Sequence, residues 1–138
     1  MIRRATRADL PRIVEIRDGV GDNPLSDPKA LDDAEAVSRI DIGALLLWQE
    51  PDGSVTGSAA FDADSGALRV LLVAPGHQGR GIGRALLKAA CDALRDAGHS
   101  TATLRAEAGS AAEQHYRGDG WTGAGTAGDG KLILQKTL

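Results

Sequence analysis

Three glycines at alternate positions, Gly79, Gly81 and Gly83, mark the part of this sequence best suited to hold an anion. Glycine lets a backbone approach a ligand without Cβ collisions. The first amides of a helix lack intrahelical acceptors and carry roughly half a positive charge, so they commonly hold phosphate groups. Arg80 and Arg84 either add positive charge at a phosphate or are solvated residues of the helix start. The predicted chemistry is phosphate binding by main-chain amides.

A buried strand and a helix must position this glycine segment. Residues 68–73 are apolar and rich in leucine and valine, as in a buried strand, and Pro75 ends the ladder because it has no N–H to donate. Residues 81–97 predict a helix, with Gly98 at its C-terminal end. Its apolar residues recur at helical spacing: Ile82, Leu86, Leu87, Ala90 and Leu94.

The glycine spacing excludes two common nucleotide-binding loops. A mononucleotide P-loop requires Gly-x4-Gly-Lys-Ser/Thr, but Ile82 and Gly83 follow Gly81. A dinucleotide fingerprint requires Gly-x-Gly-x2-Gly, and its third glycine is missing whether the pattern starts at Gly79 or at Gly81. The phosphate ligand is therefore of another class.

The pattern that does fit is Gln78-x-x-Gly81-x-Gly83. It resembles Gln/Arg-x-x-Gly-x-Gly/Ala, the central motif of the GCN5-related N-acetyltransferases (the GNAT family). The resemblance implies that acetyl-CoA is the co-substrate, with its pyrophosphate on the loop and its pantetheine arm paired with the strand. The cofactor-binding positions implied are Leu71, Leu72, Val73, Gln78, Gly79, Arg80, Gly81, Ile82, Gly83 and Arg84. The alternative is an ordinary strand–loop–helix turn whose glycines only cap and pack.

Residues 112–121 resemble a second motif of this family, Ala-x2-Phe-Tyr-x3-Gly-Phe. Tyr116, Gly120 and Trp121 have the matching spacing, and His115 replaces the usual phenylalanine. The resemblance implies that Tyr116 lies beside the thioester sulfur and acts as the general acid. A positioned donor helps to expel a thiolate whose pKa is about 8–9. The alternative is a tyrosine that packs a short helix against the sheet.

The sequence does not identify a general base. An alkylammonium acceptor with a pKa of about 10 must lose a proton before it attacks. Many relatives carry a glutamate on the strand before the glycine loop, but residues 67–73 contain no acid. Glu107, Asp62, Asp64, His115 and a chain of waters are the alternatives, and the two aspartates are equally suited to be solvated turn residues.

Two further side-chain patterns bear on the site. Gly109 stands where many relatives have an asparagine that contacts the pantetheine or assists the amine, and Ser110 is the candidate substitute. Three scattered histidines and the distant Cys91 match no metal-ligand pattern, so no metal is expected.

The composition of the chain limits its number of domains and the partners that it can have. A chain of 138 residues predicts one domain, residues 1–138. A net charge of −3 and an aromatic content of 3% argue against a nucleic-acid partner. No run approaches a membrane-spanning length and no apolar leader follows Arg3 and Arg4, so we expect no membrane partner and a cytoplasmic location.

The rest of the chain predicts the elements around the site. Strands are expected at residues 1–5, 44–49, 55–61, 68–73, 101–106, 121–126 and 131–137, and helices begin at Thr6, Asp32, Gly81 and Ser110. Residues 21–28 are expected to form a loop. The predicted apolar residues are Leu10, Ile13, Val14 and Val20 in the first helix and Ala36, Val37, Ile40 and Ile42 in the second. The strand–helix–strand unit makes strands 68–73 and 101–106 parallel. The family resemblance implies an α/β fold of the α+β type: a mixed, mostly antiparallel sheet of about seven strands with a splayed central parallel pair, flanked by about four helices.

The acceptor is the least specified part of the reaction. Five aspartates between residues 18 and 33 either attract a cationic amine or serve as helix caps and turn residues: Asp18, Asp22, Asp27, Asp32 and Asp33. The predicted function is acetyl transfer from acetyl-CoA to a primary amine of a small molecule, such as an amino acid, a polyamine or an aminated antibiotic-like compound, in a ternary complex. A protein N-terminus or lysine as acceptor, and a catalytically silent acyl-CoA-binding module, are the alternatives. A homodimer is the habit of the family.

Overall fold

One seven-stranded sheet organises residues 1–20 and 31–138, the part of the chain that the computed structural model describes. Its order in space is β1-β2-β3-β4-β5-β7-β6. Every neighbouring pair is antiparallel except β4 and β5, which are parallel. The strands are β1 (Ile2–Arg4), β2 (Leu45–Gln49), β3 (Val55–Asp62), β4 (Ala67–Val73), β5 (Thr101–Ala106), β6 (Thr122–Thr126) and β7 (Leu132–Thr137). The predicted fold class is confirmed.

Helices cover both faces of this sheet. In the described part of the chain they are a 3-10 turn (Arg7–Asp9), α1 (Leu10–Gly19), α2 (Asp33–Asp41), α3 (Ile82–Asp96) and α4 (Ala111–Gly118). One hydrophobic cluster lies beneath α1 and α2, and a second lies beneath α3 and α4 on the opposite face. Alternate residues of β4 supply both clusters, Leu71 to the α3 face and Leu72 to the α1 face.

Two helix starts follow from local capping chemistry. The Asp32 carboxylate accepts a hydrogen bond from the backbone N–H of Glu35 at 2.8 Å, which begins α2. The Ser110 hydroxyl accepts one from the N–H of Glu113 at 3.1 Å, which begins α4. Both predicted starts are confirmed. At each one a capping side chain accepts a hydrogen bond from an amide that has no partner within the helix.

Some sequence expectations differ from the structure. Ile42, predicted as an apolar residue of the second helix, lies beyond the end of α2 and is 64% exposed. Ile16, absent from the predicted apolar face of α1, is buried. The loop predicted at residues 21–28, with Asp22 and Asp27, lies outside the described residues.

The parallel strands β4 and β5 diverge almost at once. Their ladder contains one residue pair, Ala67 with Thr103, although both strands continue further. β4 remains paired with β3 as far as Val73, and a bulge shifts this register where Ala60 pairs with Val70 and Phe61 with Leu68. Bulges increase local twist, which turns β4 away from β5. The predicted splayed pair is confirmed.

Gly57 on β3 determines how closely α3 approaches the sheet. A Cβ at this position would lie 2.8 Å from Cγ2 of Ile82 and 2.9 Å from Cδ1 of Leu86. Both side chains belong to the first half of α3, so the missing side chain of Gly57 sets the height of the helix N-terminus above β3.

We expect Gly57→Ala to lower the free energy of unfolding by about 1–3 kcal/mol, because the added methyl group overpacks the contact with α3. Urea denaturation measures this loss. Gly19→Ala is the control, since a Cβ there meets no atom within 4 Å and alanine is the better helix former. Equal stability of the two variants would contradict this account of the α3 contact.

Candidate active site

The glycine loop, residues 76–81, joins the end of β4 to the start of α3. Gly76, Gly79 and Gly81 have φ values of 84°, 80° and 84°, which residues with a side chain rarely adopt. A Cβ on Gly79 or Gly81 would meet no atom within 4 Å. Gly81 is the N-cap of α3, and no side chain in the described part of the chain caps that end. The first amides of α3 therefore have no side-chain cap, and an uncapped helix N-terminus can hold an anion.

The divergence of β4 from β5 opens at this same end of the sheet. The β4–β5 ladder includes neither Leu72 nor Val73, the last residues of β4. Both are buried, as is Leu71. The structure thus brings three predicted cofactor-binding positions on β4 next to the loop and the first turn of α3, which contain the predicted positions 78–84.

The two arginines of the loop region have different partners. Arg80 forms a bidentate ion pair with Glu50, with Nη1 to Oε1 at 2.8 Å and Nη2 to Oε2 at 3.2 Å. Arg84 is 78% exposed on its side chain and contacts Asp119 at 3.3 Å. The side-chain amide of Gln78 lies 3.5 Å from the carbonyl oxygen of Val73. Arg84 is the more accessible of the two cations.

Glu50 lies at the candidate site but is not among the residues that the sequence predicted there. It precedes the β2–β3 turn and lies 30 residues from Arg80, so no local pattern joins them. Its carboxylate also accepts a hydrogen bond from the hydroxyl of Thr56 at 3.0 Å. The hydrogen bonds from Arg80 and Thr56 outweigh burial and hold the pKa of Glu50 below its usual range.

Tyr116 is buried on α4, with 1% of its surface exposed. Its ring makes edge-to-face contacts with Trp121, at a centroid distance of 5.8 Å, and with His115, at 5.3 Å. Burial raises the pKa of the phenol, and the nearby carboxylate of Asp119 raises it further. The phenol is therefore neutral near pH 7 and keeps a proton that it can donate.

The candidate bases lie in three different environments. Asp62 accepts hydrogen bonds from the N–H groups of Asp64 and Ser65, at 3.0 and 3.4 Å. Burial acts to raise its pKa, but these bonds and the charge of Arg39 together lower it. Asp62 thus behaves as a turn residue at the end of β4 opposite the glycine loop. Asp64 is exposed in the same turn.

The other two candidate bases, Glu107 and His115, are exposed on the loop after β5 and on α4. Ser110 beside them donates its hydroxyl proton to the carbonyl of Glu107 at 2.6 Å while it caps α4. Gly109 donates its N–H to the Glu113 carboxylate at 2.7 Å. The structure gathers no carboxylate–imidazole pair among these residues, and it engages Ser110 in helix capping.

A groove of about 550 Å³ runs between α3 and β7 and begins at Gly81. Its basic side chains are Arg84, Lys88, Arg95 and Lys136, and Cys91 lies half-buried along it. Burial raises the pKa of the Cys91 thiol, which keeps it in its unreactive protonated form.

The opposite face of the sheet has its own openings. A cavity of about 20 Å³ between α1, α2 and the sheet reaches Val70 and Leu72 of β4. An open depression of about 490 Å³ lies beside it and shares Arg17 with it. Arg17 forms ion pairs with Asp18 and Asp33 at the rim of that depression.

Residues 1–20 and 31–138 contain neither a metal-binding cluster nor a membrane-spanning helix. No group of three histidine, cysteine or acidic side chains has the arrangement needed to hold a metal ion. No helix in these segments is long and apolar enough to cross a lipid bilayer.

The sequence matches a family model and a curated protein. The family model described as the acetyltransferase (GNAT) domain matches residues 26–133. Over 80 residues the chain is 38% identical to mycothiol acetyltransferase of Clavibacter sepedonicus, a match that covers 56% of this chain and 26% of the relative. The chain therefore spans about a quarter of the length of this curated relative.

Solved structures give the same fold across the whole chain. Ribosomal-protein-alanine N-acetyltransferase of Brucella melitensis is 26% identical, with a TM-score of 0.75, and the match covers 100% of this chain and 99% of that one. N-acetylglutamate synthase of Neisseria gonorrhoeae, solved with coenzyme A and N-acetylglutamate, is 20% identical with a TM-score of 0.81, over 100% of this chain and 35% of that one.

A Salmonella typhimurium protein described as an acetyltransferase, solved with acetyl-CoA, is 25% identical with a TM-score of 0.75, over 100% of this chain and 93% of that one. The family model covers most of the sequence, including both the glycine loop and Tyr116. The chain belongs to the GNAT family of acetyl-CoA-dependent N-acetyltransferases.

Proposed function

We propose that this chain moves the acetyl group of acetyl-CoA to the primary amine of a small molecule, by direct transfer within a ternary complex. The acidic depression on the α1–α2 face is the observation that carries the proposal. Asp18, Asp32 and Asp33 outnumber Arg17 there, and a negative opening attracts a cationic amine. The depression measures about 490 Å³, a volume in the range of small-molecule sites, which suits a small acceptor such as an amino acid, a polyamine or an aminated antibiotic-like compound.

Two similar proteins support a small acceptor. One is a mycothiol acetyltransferase, and the N-acetylglutamate synthase was solved with N-acetylglutamate. Acceptors of this size need a cleft rather than an extended docking surface, in keeping with the cavity and the depression beside it.

In our proposal the main-chain amides of residues 78–84 hold the pyrophosphate, and Arg84 adds positive charge from the rim. Gly79 and Gly81 suit this role because open space lies where their Cβ atoms would be. The main chain of residues 71–73 pairs with the pantetheine arm in the gap left by β5. When bound, acetyl-CoA supplies the acetyl group as an activated thioester.

In the proposed reaction, groups of this chain polarise the thioester and supply the proton that the leaving sulfur takes up. Backbone amides at the divergence of β4 and β5 polarise the thioester carbonyl. The amine nitrogen forms a bond to the carbonyl carbon, the carbon–sulfur bond breaks, and the phenol of Tyr116 gives its proton to the sulfur. Solvent then returns a proton to Tyr116.

We assign removal of the amine proton to a chain of waters. Asp62 is engaged by the amides of its own turn, and its lowered pKa makes it a weak acceptor. Glu107 and His115 lie on exposed positions of the loop and helix after β5. Water can connect an amine in the gap with solvent or with one of these side chains.

A protein N-terminus is the second candidate acceptor. The observation that favours it is the full-length likeness, at 26% identity, to a ribosomal-protein-alanine N-acetyltransferase. An open depression of about 490 Å³ can admit an extended peptide end as well as a small amine.

Release of free coenzyme A thiol distinguishes these functions. The purified chain is incubated with acetyl-CoA and separately with amino acids, polyamines, aminoglycosides and peptides. Turnover only with small amines supports the proposal, and turnover only with peptides supports the second candidate. A thermal shift with coenzyme A but no turnover on any acceptor indicates a silent acyl-CoA-binding module.

We expect Gly81→Ala to weaken coenzyme A binding at least roughly tenfold, because a side chain at this φ shifts the amides of the loop. Isothermal calorimetry measures the affinity. Gly98→Ala is the matched control, at the other end of α3, with a φ of 101° and no atom near its Cβ. Both variants should lose about 1–2 kcal/mol of stability, but only Gly81→Ala should lose affinity. Equal affinities would contradict the loop assignment.

We expect Tyr116→Phe to lower kcat by roughly 10²-fold or more, because the general acid is lost. The ring contacts with Trp121 are kept, so the affinity for coenzyme A should change little. Steady-state kinetics with the best acceptor and calorimetry measure the two quantities. Since burial raises the phenol pKa, the unaltered enzyme should show no loss of this acid below about pH 10. An unchanged kcat would exclude Tyr116 as the acid.

A further inference from the structure

Glu50 connects two separate parts of the chain at the glycine-loop end of the sheet. Its side chain is only 12% exposed and lies between Thr56 of β3 and Arg80 of the loop. Nδ1 of His77 lies 3.8 Å from the Glu50 carboxylate and 2.9 Å from Nη1 of Arg80. Arg80 is thus bound by a carboxylate that also accepts from β3, and His77 lies within hydrogen-bond distance of Arg80 rather than of the carboxylate.

The backbone keeps Glu50 at the loop rather than at the reacting carbonyl. The N–H of Ala74 donates to the carbonyl of Thr56 at 2.8 Å, so Thr56 and its partner Glu50 lie beside the residue that follows β4. The bulge of β4 and the acceptor-side cavity are further back along the strand. With a lowered pKa as well, Glu50 is not suited to be the general base.

We infer that Glu50 is a positioning residue that sets the conformation of the glycine loop before acetyl-CoA binds. It holds the guanidinium of Arg80 by two hydrogen bonds, and Arg80 belongs to the segment whose amides face the anion. A loop that is already ordered loses less conformational entropy when it closes on a phosphate. This inference rests on the proposed role of the loop in holding the pyrophosphate.

The same geometry assigns Arg80 a structural role instead of a phosphate contact. Moving Arg80 to a phosphate would leave the mostly buried Glu50 carboxylate with Thr56 as its remaining hydrogen-bond donor, which is costly. The phosphate charge is then met by main-chain amides and by the exposed Arg84. Glu50 acts on binding through Arg80, without touching the ligand.

Glu50→Gln tests this inference. The amide keeps the shape of the side chain but cannot accept a bidentate pair from Arg80, so KM for acetyl-CoA and Kd for coenzyme A should rise roughly tenfold. The kcat at saturating acetyl-CoA should stay within about twofold, because no reacting group changes. Kd from calorimetry requires no acceptor, so it remains informative even if the proposed acceptor class is wrong.

Arg80→Gln and the double variant provide the second measurement. If Glu50 acts through Arg80, each single variant and the double variant should have similar Kd values, since one interaction is removed in all three. Glu15→Gln is the control: Glu15 is 70% exposed and pairs with Arg12 on α1, so its variant should bind coenzyme A normally.

Two results would overturn the inference. Tighter binding by Glu50→Gln would mean that the carboxylate competes with phosphate for Arg80. A lower melting temperature with unchanged Kd and KM would mean that Glu50 only stabilises the fold.

Discussion

The single residue pair that joins β4 to β5 is the constraint on which the rest of this structure depends. A parallel ladder that continued beyond Ala67 and Thr103 would close the centre of the sheet. Because β4 instead follows β3 through a bulge, it diverges from β5 and ends at the glycine loop with an open gap beside it. A strand edge, a gap and a helix N-terminus then lie at one place, as binding of a long thioester with a charged end requires.

The proposed proton donor and the proposed acceptor opening lie on opposite faces of the sheet. Tyr116 belongs to the hydrophobic cluster on the α3 face, whereas the acidic depression and the small cavity lie on the α1–α2 face. A fully hydrogen-bonded sheet would separate a donor on one face from an acceptor entering by the other. The proposed reaction therefore depends on the divergence of β4 from β5, where that barrier is absent.

Charge around the glycine loop is organised in pairs rather than as a basic patch. Arg80 is bound by Glu50, and Arg84 lies near Asp119, which also contacts Lys136. In the proposed site, selectivity for a phosphate comes mainly from oriented amides, whose geometry the loop glycines permit. Gly57 contributes from the other side, since its missing side chain lets α3 sit close enough to β3 for its N-terminus to face the gap.

The sequence by itself determined the features whose physics is local. Alternating glycines predicted the loop and capping residues predicted the starts of α2 and α4, because each depends on neighbours within a few residues. The strand–helix–strand unit predicted the parallel pair because the handedness of such a connection is nearly always the same. The motif resemblance also predicted the family correctly. Only the tertiary structure decided that Glu50 holds Arg80 and that Ile42 is exposed. These outcomes depend on contacts across the fold, or on where a helix ends, and hydrophobic periodicity carries no information about either.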